Sequence, residues 1–272
     1  MGSLNQRPLV ALTMGDVAGI GPEVIVRGWG DTRLHSLARP MVIGKIEFLQ
    51  RAIDLVAHGH MMIQRIEGPE EARPSPDTIP CLAVAFQETF GELTSVTPGG
   101  VDPRSGQASY HYLVEAIDLA LARRIDAITT LPISKKSLSL AGVHYPGHTE
   151  ILADRCGVAD HAMMLYLATG DRTESSREGL GIIHVTLHMA LRRIFDELTI
   201  DRVRRKILLA DRAMRPLTDG RPPRIAVAAL NPHAGEEGLF GEEEATILSP
   251  AVGEAISKGV NVQGPFPADS LF

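Results

Sequence analysis

The stretch QASYHYLVEAIDLALARRIDAITTL, residues 107–131, decides the fold class of this chain. Its first part, Gln107 to Arg124, carries apolar residues at i, i+4 and i+8 with partners at i+1, which predicts an amphipathic helix. Ile125 to Leu131 follows at once as an apolar strand that Pro132 stops. A helix that leads directly into a buried strand is typical of α/β proteins.

The same alternation recurs along the chain. Further strands are predicted at Leu9–Met14, Pro40–Gly44, Leu180–Leu187 and Arg224–Leu230. Further helices are predicted at Thr149–Cys156, Thr199–Leu217 and Glu242–Lys258. Because the strands are continuously apolar and alternate with helices, we predict a mostly parallel sheet covered on both faces.

The length points to two domains or to one large domain. The chain has 272 residues, and about 150 residues per domain is the usual size. Polar motifs become denser beyond Pro132, so we expect a first α/β domain over residues 1–132 and a second over 133–272. The Pro-rich stretch Arg73–Pro80 resembles a linker but lies too early in the chain to mark a boundary.

Composition and charge exclude several classes of protein. The formal net charge of −6 offers no global basic field for nucleic acid or an anionic membrane. No apolar run approaches the roughly 18 residues of a membrane helix. Cys81 and Cys156 form no metal-type spacing, and no secretory segment follows the N-terminus, so a reduced cytoplasmic protein is expected.

Polar and reactive residues follow four of the predicted strands. They are Gly15-Asp16, the run Thr130–Lys136, Thr186–His188 and Asn231–Glu236. In open α/β sheets, ligands bind beyond the carboxyl ends of the strands. The convergence of four such ends predicts a site there.

Two loop motifs each allow a functional and a purely structural interpretation. GDVAGIGPE, residues 15–23, does not complete the dinucleotide fingerprint because Val24 stands where the third glycine would be. It is either a glycine-rich strand-to-helix turn or a ligand loop. HYPGHTE, residues 144–150, places a Gly-His-Thr turn at a helix start, where free N–H groups, Thr149 and His148 suit a phosphate or carboxylate. The alternative is that Thr149 only caps the helix.

Two histidines form a candidate metal site. His188 and His233 end two different strands, and two imidazoles suit Zn²⁺ or another transition metal. The alternative is that each is a separate polar loop residue.

Six motifs, taken in order, resemble the 4-hydroxythreonine-4-phosphate dehydrogenase family, which includes relatives acting on 4-phospho-threonate or 4-phospho-erythronate. They are GDVAGIGPE (15–23), TLPISK (130–135), HYPGHTE (144–150), VTLHMALR (185–192), NPHAGEEGLFG (231–241) and GPFPADSLF (264–272). They span nearly the whole chain and are specific to the family rather than to one substrate.

The resemblance implies two α/β/α domains like those of isocitrate and isopropylmalate dehydrogenases. It also implies a homodimer with the active site in the interdomain cleft at the dimer interface. His188 and His233 match two of the family's three metal-binding histidines, and His148 and Thr149 match contacts to the substrate phosphate or hydroxyl. Asp269 matches an acidic residue near the active site.

The chain departs from the family pattern at two places. Val17 stands where the family usually has proline, which alters turn stiffness. The chain stops at Phe272, whereas family members continue with a YHDQG-like motif that supplies the third metal histidine, followed by Lys, Asn and Arg substrate contacts. The expectation is an incomplete sequence or a truncated, inactive version.

The predicted reaction is metal-dependent oxidation, with decarboxylation, of a small phosphorylated hydroxy acid such as 4-phosphohydroxy-L-threonine or 4-phospho-D-threonate. The expected cofactors are NAD or NADP and a divalent metal, with zinc ahead of magnesium, manganese or cobalt. Lys135 and Asp269 are weak candidates for the general base, and no residue is assigned to the dinucleotide. The alternatives are a dihydrodiol dehydrogenase of aromatic catabolism and a non-catalytic homologue.

Overall fold

The computed structural model describes residues 7–56, 61–168, 179–218 and 220–271. Within these ranges the strands are Leu9–Thr13 (β1), Arg39–Gly44 (β2), Met62–Ile66 (β3), Thr78–Ala83 (β4), Ala127–Thr130 (β5), Met164–Leu167 (β6), Leu180–Ile183 (β7), Ile225–Ala228 (β8) and Val262–Phe266 (β9). The α-helices in the same ranges are Gly21–Trp29 (α1), Thr32–Leu37 (α2), Ile46–Val56 (α3), Pro103–Leu121 (α4), Lys135–Leu140 (α5), His148–Arg155 (α6), Ile194–Glu197 (α7), Ile200–Met214 (α8) and Ser249–Ser257 (α9). The contacts divide the chain into unit 1, residues 1–158, and unit 2, residues 159–272.

Unit 1 is built on one parallel sheet of five strands, in the order β3-β4-β2-β1-β5. The strands at the centre of this order are the most buried, as in β2, where every residue after Arg39 is buried. Helix α4 packs on β1, β2 and β5, and α1 packs on α3. The α/β class with a parallel sheet, predicted from the alternation of apolar runs, is confirmed.

The hydrophobic core of unit 1 is one cluster of buried residues from both the helices and the sheet. Its largest fully buried side chains include Trp29 of α1 and Tyr112 of α4. Helix α4 also approaches α5 very closely, because an added Cβ on Gly106 would lie 2.1 Å from the Ser137 carbonyl oxygen. The contact ties α5 to the first unit.

Unit 2 contains two short pairs of strands. Strands β8 and β9 are parallel, and β6 and β7 are antiparallel. Helices α8 and α9 pack on each other, and Val203, Ala251 and Val262 lie in their shared core. Thr199 caps α8, since its Oγ1 accepts from the Arg202 N–H at 3.2 Å.

Several predicted elements differ in detail from the observed ones. The strand predicted to reach Leu187 ends at Ile183, and the helix predicted from Glu242 begins with a π-helical turn over Glu244–Leu248. The prediction of a mostly parallel sheet does not hold for the antiparallel β6–β7 pair. The linker-like stretch 73–80 contains the start of β4, which is hydrogen-bonded to strands on both sides.

The division between the units falls between Val158 and Ala159. The boundary expected after Pro132 lies inside unit 1, because α5 and α6 both pack on α4. Among the described residues, no helix combines the length and apolar character required to cross a membrane.

Candidate active site

The loops after β1 and β5 meet at the carboxyl edge of the sheet in unit 1. These strands are parallel neighbours, so their ends lie side by side. The Asp16 N–H donates to the Pro132 carbonyl oxygen at 2.9 Å. Gly15 has φ +73°, and an added Cβ there would lie 2.4 Å from the same oxygen. Only glycine allows this approach, which joins the GDVAGIGPE motif to the TLPISK motif.

The remaining residues of the GDVAGIGPE motif build a sharp turn into α1. Asp16 is buried, and its Oδ1 accepts from the Ala18 N–H at 2.8 Å. An added Cβ on Gly21 would lie 2.2 Å from the Met14 carbonyl oxygen. Helix α1 then begins with Gly21-Pro22. Close backbone packing therefore accounts for both Gly15 and Gly21.

The HYPGHTE motif forms the open amino end of α6. Gly147 occupies the N-cap position, and no side chain caps the helix. The helix begins at His148, so the alternative that Thr149 is the N-cap is wrong, and Thr149 lies in the first turn instead. Uncapped N–H groups at a helix start attract anions.

Lys135 lies beside this helix start. It is the first residue of α5, which Ser134 caps by accepting from the Ser137 N–H at 3.2 Å. The Lys135 Cε lies 3.9 Å from the position of a Cβ on Gly147, and a Glu150 carboxylate oxygen lies 3.6 Å from the same point. One ammonium group and one carboxylate therefore flank the open end of α6.

His148 supplies a neutral imidazole at the same place. Burial lowers its pKa below the ordinary 6.5, and a backbone hydrogen bond with Leu131 partly opposes this shift. Its Nε2 is buried and has no hydrogen-bond partner among the described residues. A buried ring nitrogen without a partner is ready to bond a substrate oxygen.

In unit 2, the parallel strands β8 and β9 bring His233 and Asp269 together. His233 follows β8 and Asp269 follows β9, so both lie at the carboxyl edge of this pair. The His233 Nδ1 is 3.6 Å from an Asp269 carboxylate oxygen, and both side chains are more than half exposed. An imidazole and a carboxylate placed at the same edge could both contact one substrate or one metal.

The backbone that carries His233 is strained. His233, Ala234, Gly235, Glu236 and Glu237 have φ values of 53°, 55°, 80°, 43° and 55°, a left-handed turn. Each non-glycine residue in that conformation costs about 1–2 kcal/mol. Such strain persists only where surrounding interactions hold it, and it concentrates at functional sites.

Glu244 holds the start of this strained loop. Its buried carboxylate accepts from the Leu230 N–H at 2.9 Å, the Asn231 N–H at 2.7 Å and the Asn231 Nδ2 at 2.9 Å. Burial alone would raise the pKa of Glu244, but the hydrogen bonds from Asn231 and Leu230 outweigh it and hold the pKa below 4.5. The carboxylate is therefore charged at neutral pH.

His188 also lies in unit 2, beyond β7, with φ +54° and an exposed side chain. Within the described ranges, no group of three or more His, Cys, Asp or Glu residues is arranged to hold a metal ion. The assignment of His188 and His233 as metal ligands therefore stays a prediction.

The sequence placed Asn231 among the polar residues that follow its strand, but it did not indicate that Glu244 holds Asn231. Glu244 follows Glu242 and Glu243, and a run of acids at a helix start is expected for the helix dipole alone. Glu150, which flanks the open end of α6, was also missed.

Similarity to known proteins identifies the family of this chain. The sequence profile of the family described as "Pyridoxal phosphate biosynthetic protein PdxA" matches residues 36–272. A 4-hydroxythreonine-4-phosphate dehydrogenase of Trichlorobacter lovleyi is 39% identical over 98% of this chain and 75% of its own length. A D-threonate 4-phosphate dehydrogenase of Salmonella typhimurium is 40% identical over 97% of this chain and 76% of its own length.

A solved structure agrees with these relatives. The crystal structure of 4-hydroxythreonine-4-phosphate dehydrogenase from Klebsiella pneumoniae superposes with a TM-score of 0.85 at 40% identity, covering 97% of this chain and 77% of that one. The fold and these similarities define an oxidoreductase of the dehydrogenase class. The chain belongs to the PdxA family, which confirms the resemblance found in its motifs.

Proposed function

We propose that this chain oxidises a secondary alcohol of a small phosphorylated hydroxy acid, either 4-phosphohydroxy-L-threonine or 4-phospho-D-threonate, with NAD or NADP. The observation that carries the proposal is the open amino end of α6, where Thr149 and the buried, unpartnered nitrogen of His148 lie beside Lys135. Two relatives that bear the names of these phosphorylated substrates support the substrate class.

The residues around α6 have separable roles in binding. The first-turn N–H groups and the Thr149 hydroxyl donate hydrogen bonds to the substrate phosphate or an adjacent oxygen. The Lys135 ammonium group adds positive charge, and His148, neutral at pH 7, bonds a substrate hydroxyl. Glu150 repels an anion that approaches from its side, so it restricts where the phosphate can lie.

The residues present supply part of the ligand set that a transition metal requires. His188 and His233 are two imidazoles that would hold it, and the described residues supply no third ligand in a metal-binding arrangement. A divalent metal held there would supply Lewis-acid chemistry for a substrate alcohol and for loss of CO₂, and a nicotinamide cofactor would supply the hydride acceptor. The Asp269 carboxylate, 3.6 Å from the His233 Nδ1, would orient the imidazole if the two closed to hydrogen-bond distance, as carboxylates beside ligand histidines do. Lys135 and Asp269 stay the candidates for taking the alcohol proton.

We also propose a homodimer, supported by the exposed apolar surface of β6 and β7. Leu165, Leu167 and Leu180 are 51%, 58% and 48% exposed, and the pairing of Leu167 with Leu180 puts all three on one face of the pair. A two-stranded antiparallel pair is marginally stable alone, and a contiguous apolar patch marks an interaction surface. A second copy of this chain would cover it.

We further place the protein in the reducing cytoplasm. Cys81 and Cys156 are both free thiols. Burial raises the pKa of Cys81 to about 12, so this thiol is inert at neutral pH. Reduced cysteines without a pairing partner are typical of cytoplasmic proteins.

The test is an assay of the full chain with NAD or NADP and Zn²⁺, Mg²⁺, Mn²⁺ or Co²⁺. We expect reduced cofactor to form with D-threonate 4-phosphate or 4-hydroxythreonine 4-phosphate and not with unphosphorylated D-threonate. Replacing both His148 and Thr149 with alanine should raise KM for the phosphorylated acid at least tenfold. The exposed His144, replaced by alanine, is the matched control and should leave KM unchanged.

Two other outcomes identify the alternative functions. Cofactor reduction with a cis-dihydrodiol and none with the phosphorylated acids would replace the proposal with a dihydrodiol dehydrogenase. Calorimetric binding of a phosphorylated acid without any cofactor reduction would indicate a non-catalytic binding protein. Equal turnover of phosphorylated and unphosphorylated acids would refute the anion role of α6.

A further inference from the structure

A cavity of about 710 Å³ lies at the edge of unit 1 where the parallel strands begin. Its lining includes Leu9 at the start of β1, Arg39 at the start of β2 and Arg124 just before β5. The candidate active site lies at the carboxyl edge of the same sheet. Since β1 has five residues and strands rise about 3.3 Å per residue, the two edges are about 15 Å apart.

Positive charge dominates this cavity. Four arginines line it, namely Arg7, Arg39, Arg73 and Arg124, together with one carboxylate, Glu70. Arg124 already neutralises that carboxylate, because its Nη2 donates to both Glu70 oxygens at 3.1 and 2.8 Å. In a chain of net charge −6, such a concentration of guanidinium groups favours an anionic ligand.

Two of these guanidinium groups are held by backbone carbonyls yet keep free donors. The Arg39 Nε donates to the Arg7 carbonyl at 3.2 Å, and the Arg73 Nη1 donates to the Glu70 and Ala72 carbonyls at 2.7 and 3.1 Å. Both Nη atoms of Arg39, and Nε and Nη2 of Arg73, have no acceptor among the described residues. A guanidinium fixed in this way is preorganised for the fork-shaped binding of phosphate oxygens.

A buried histidine in the cavity lining also lacks a partner. His35 is only 8% exposed, and its Nε2 bonds the Trp29 carbonyl oxygen at 2.7 Å. A carbonyl can only accept, so Nε2 carries the proton and Nδ1 carries a lone pair. Nδ1 is buried without a hydrogen-bond partner in the described part of the chain. A buried polar atom left unpaired is costly, and a ligand hydroxyl would satisfy it.

We propose that this cavity binds a small phosphate monoester, with the phosphoryl group at Arg39 and Arg73 and a hydroxyl of the organic part at the Nδ1 of His35. Its volume falls within the roughly 300–1,000 Å³ of small-molecule pockets and exceeds what inorganic phosphate fills. The site is separate from the substrate site proposed at α6, since it lies at the opposite edge of the sheet.

The only tryptophan of the chain provides a local probe of the site. The Trp29 ring lies edge-on to His35, with centroids 5.5 Å apart, and its Nε1 donates to the Ser75 and Thr78 carbonyls at 2.8 and 3.0 Å. We would titrate the full chain with ribose 5-phosphate, ribose or inorganic phosphate at constant ionic strength, and follow tryptophan fluorescence. Equilibrium dialysis with labelled ribose 5-phosphate would give the number of sites.

We expect a saturable fluorescence response to ribose 5-phosphate, weaker binding of inorganic phosphate and none of ribose. Arg39→Ala and Arg73→Ala should each weaken the binding about tenfold or more, as the loss of a charge-assisted hydrogen bond does. Arg65→Ala, on β3 and outside the cavity, is the control and should not change it. Because the Arg73 side chain is exposed, Arg73→Ala keeps the test valid if Arg39→Ala fails to fold.

The response should persist when both His148 and Thr149 are replaced by alanine, which separates this site from the one proposed at α6. Loss of the response in that double variant, or its survival in Arg73→Ala, would overturn the proposal. Equal affinities for inorganic phosphate and ribose 5-phosphate would overturn the assignment to an ester.

Discussion

Replacement of Glu244 by glutamine tests how the strained loop at His233 is held. The carboxylate accepts three hydrogen bonds from Leu230 and Asn231, at 2.7 to 2.9 Å. In Glu244→Gln, one oxygen still accepts from the two backbone N–H groups, but without negative charge. The new NH₂ group faces the Asn231 amide nitrogen, so that hydrogen bond is lost.

The expected loss of stability in Glu244→Gln follows from these hydrogen bonds. A hydrogen bond to a charged group contributes about 1.5–3 kcal/mol, so the loss of one bond and the weakening of two should lower the free energy of unfolding by about 2 kcal/mol. For a unit of this size, that corresponds to a fall in Tm of about 6 °C. Circular dichroism during thermal and urea unfolding of the full chain measures both quantities.

The loss of stability caused by Glu244→Gln should be largest at neutral pH and smaller in acid. The folded pKa of Glu244 lies below its ordinary value of 4.5, so the charged carboxylate stabilises the fold above that pH. The stabilisation is lost as pH falls from 4.5 through the folded pKa. The difference between wild type and variant should therefore shrink in acid.

The neighbouring Glu242 provides the control, because it is exposed and its side chain accepts none of these bonds. Glu242→Gln should change Tm by less than about 2 °C. Equal unfolding midpoints for the two variants at pH 7 would refute the reasoning that Glu244 holds the loop.

Three further predictions follow from single positions. Gly15→Ala should lower the free energy of unfolding by about 3 kcal/mol, because it combines a positive φ with a clash at Pro132. Gly28→Ala, in open space on α1, should raise it by up to about 1 kcal/mol. Urea unfolding compares the two variants, and equal changes in the free energy of unfolding would contradict the packing argument. The His148 imidazole should titrate below pH 6.5 by NMR because burial lowers its pKa, and a midpoint at or above 6.5 would contradict this. Leu165→Lys should convert the proposed dimer to a monomer in light scattering, and a wild-type monomer would refute the dimer.

Local pattern predicted most of the elements that position the site. Strand β1 and helix α8 were found because apolar spacing acts within a few residues. Strands β3 and β4 were not predicted. Strand β3 carries the polar pair Gln64-Arg65 in its middle, which breaks the apolar run, and Pro80 within β4 argues against a strand. Both strands form because a neighbouring strand completes their hydrogen bonding.

The parts of the candidate site that lie within one motif could be predicted from the sequence. The parts that depend on contacts between residues far apart in the chain could not. The open end of α6 follows from PGHT alone, since proline and glycine stop the chain from entering the helix earlier. The approach of Lys135 to Gly147 depends on how α5 and α6 pack on α4. The pairing of His233 with Asp269 depends on β8 and β9 being parallel neighbours.

The sequence by itself determined the α/β class, the family and the turn residues, because helix and strand periods, caps and glycine requirements are properties of short segments. Only the tertiary structure decided the strand order, the buried role of Glu244 and the arginine cavity. Arg7 and Arg124 line one cavity because β1 and β5 are adjacent in the sheet. Such long-range juxtapositions arise from the packing of the whole unit and leave no periodic signal in the chain.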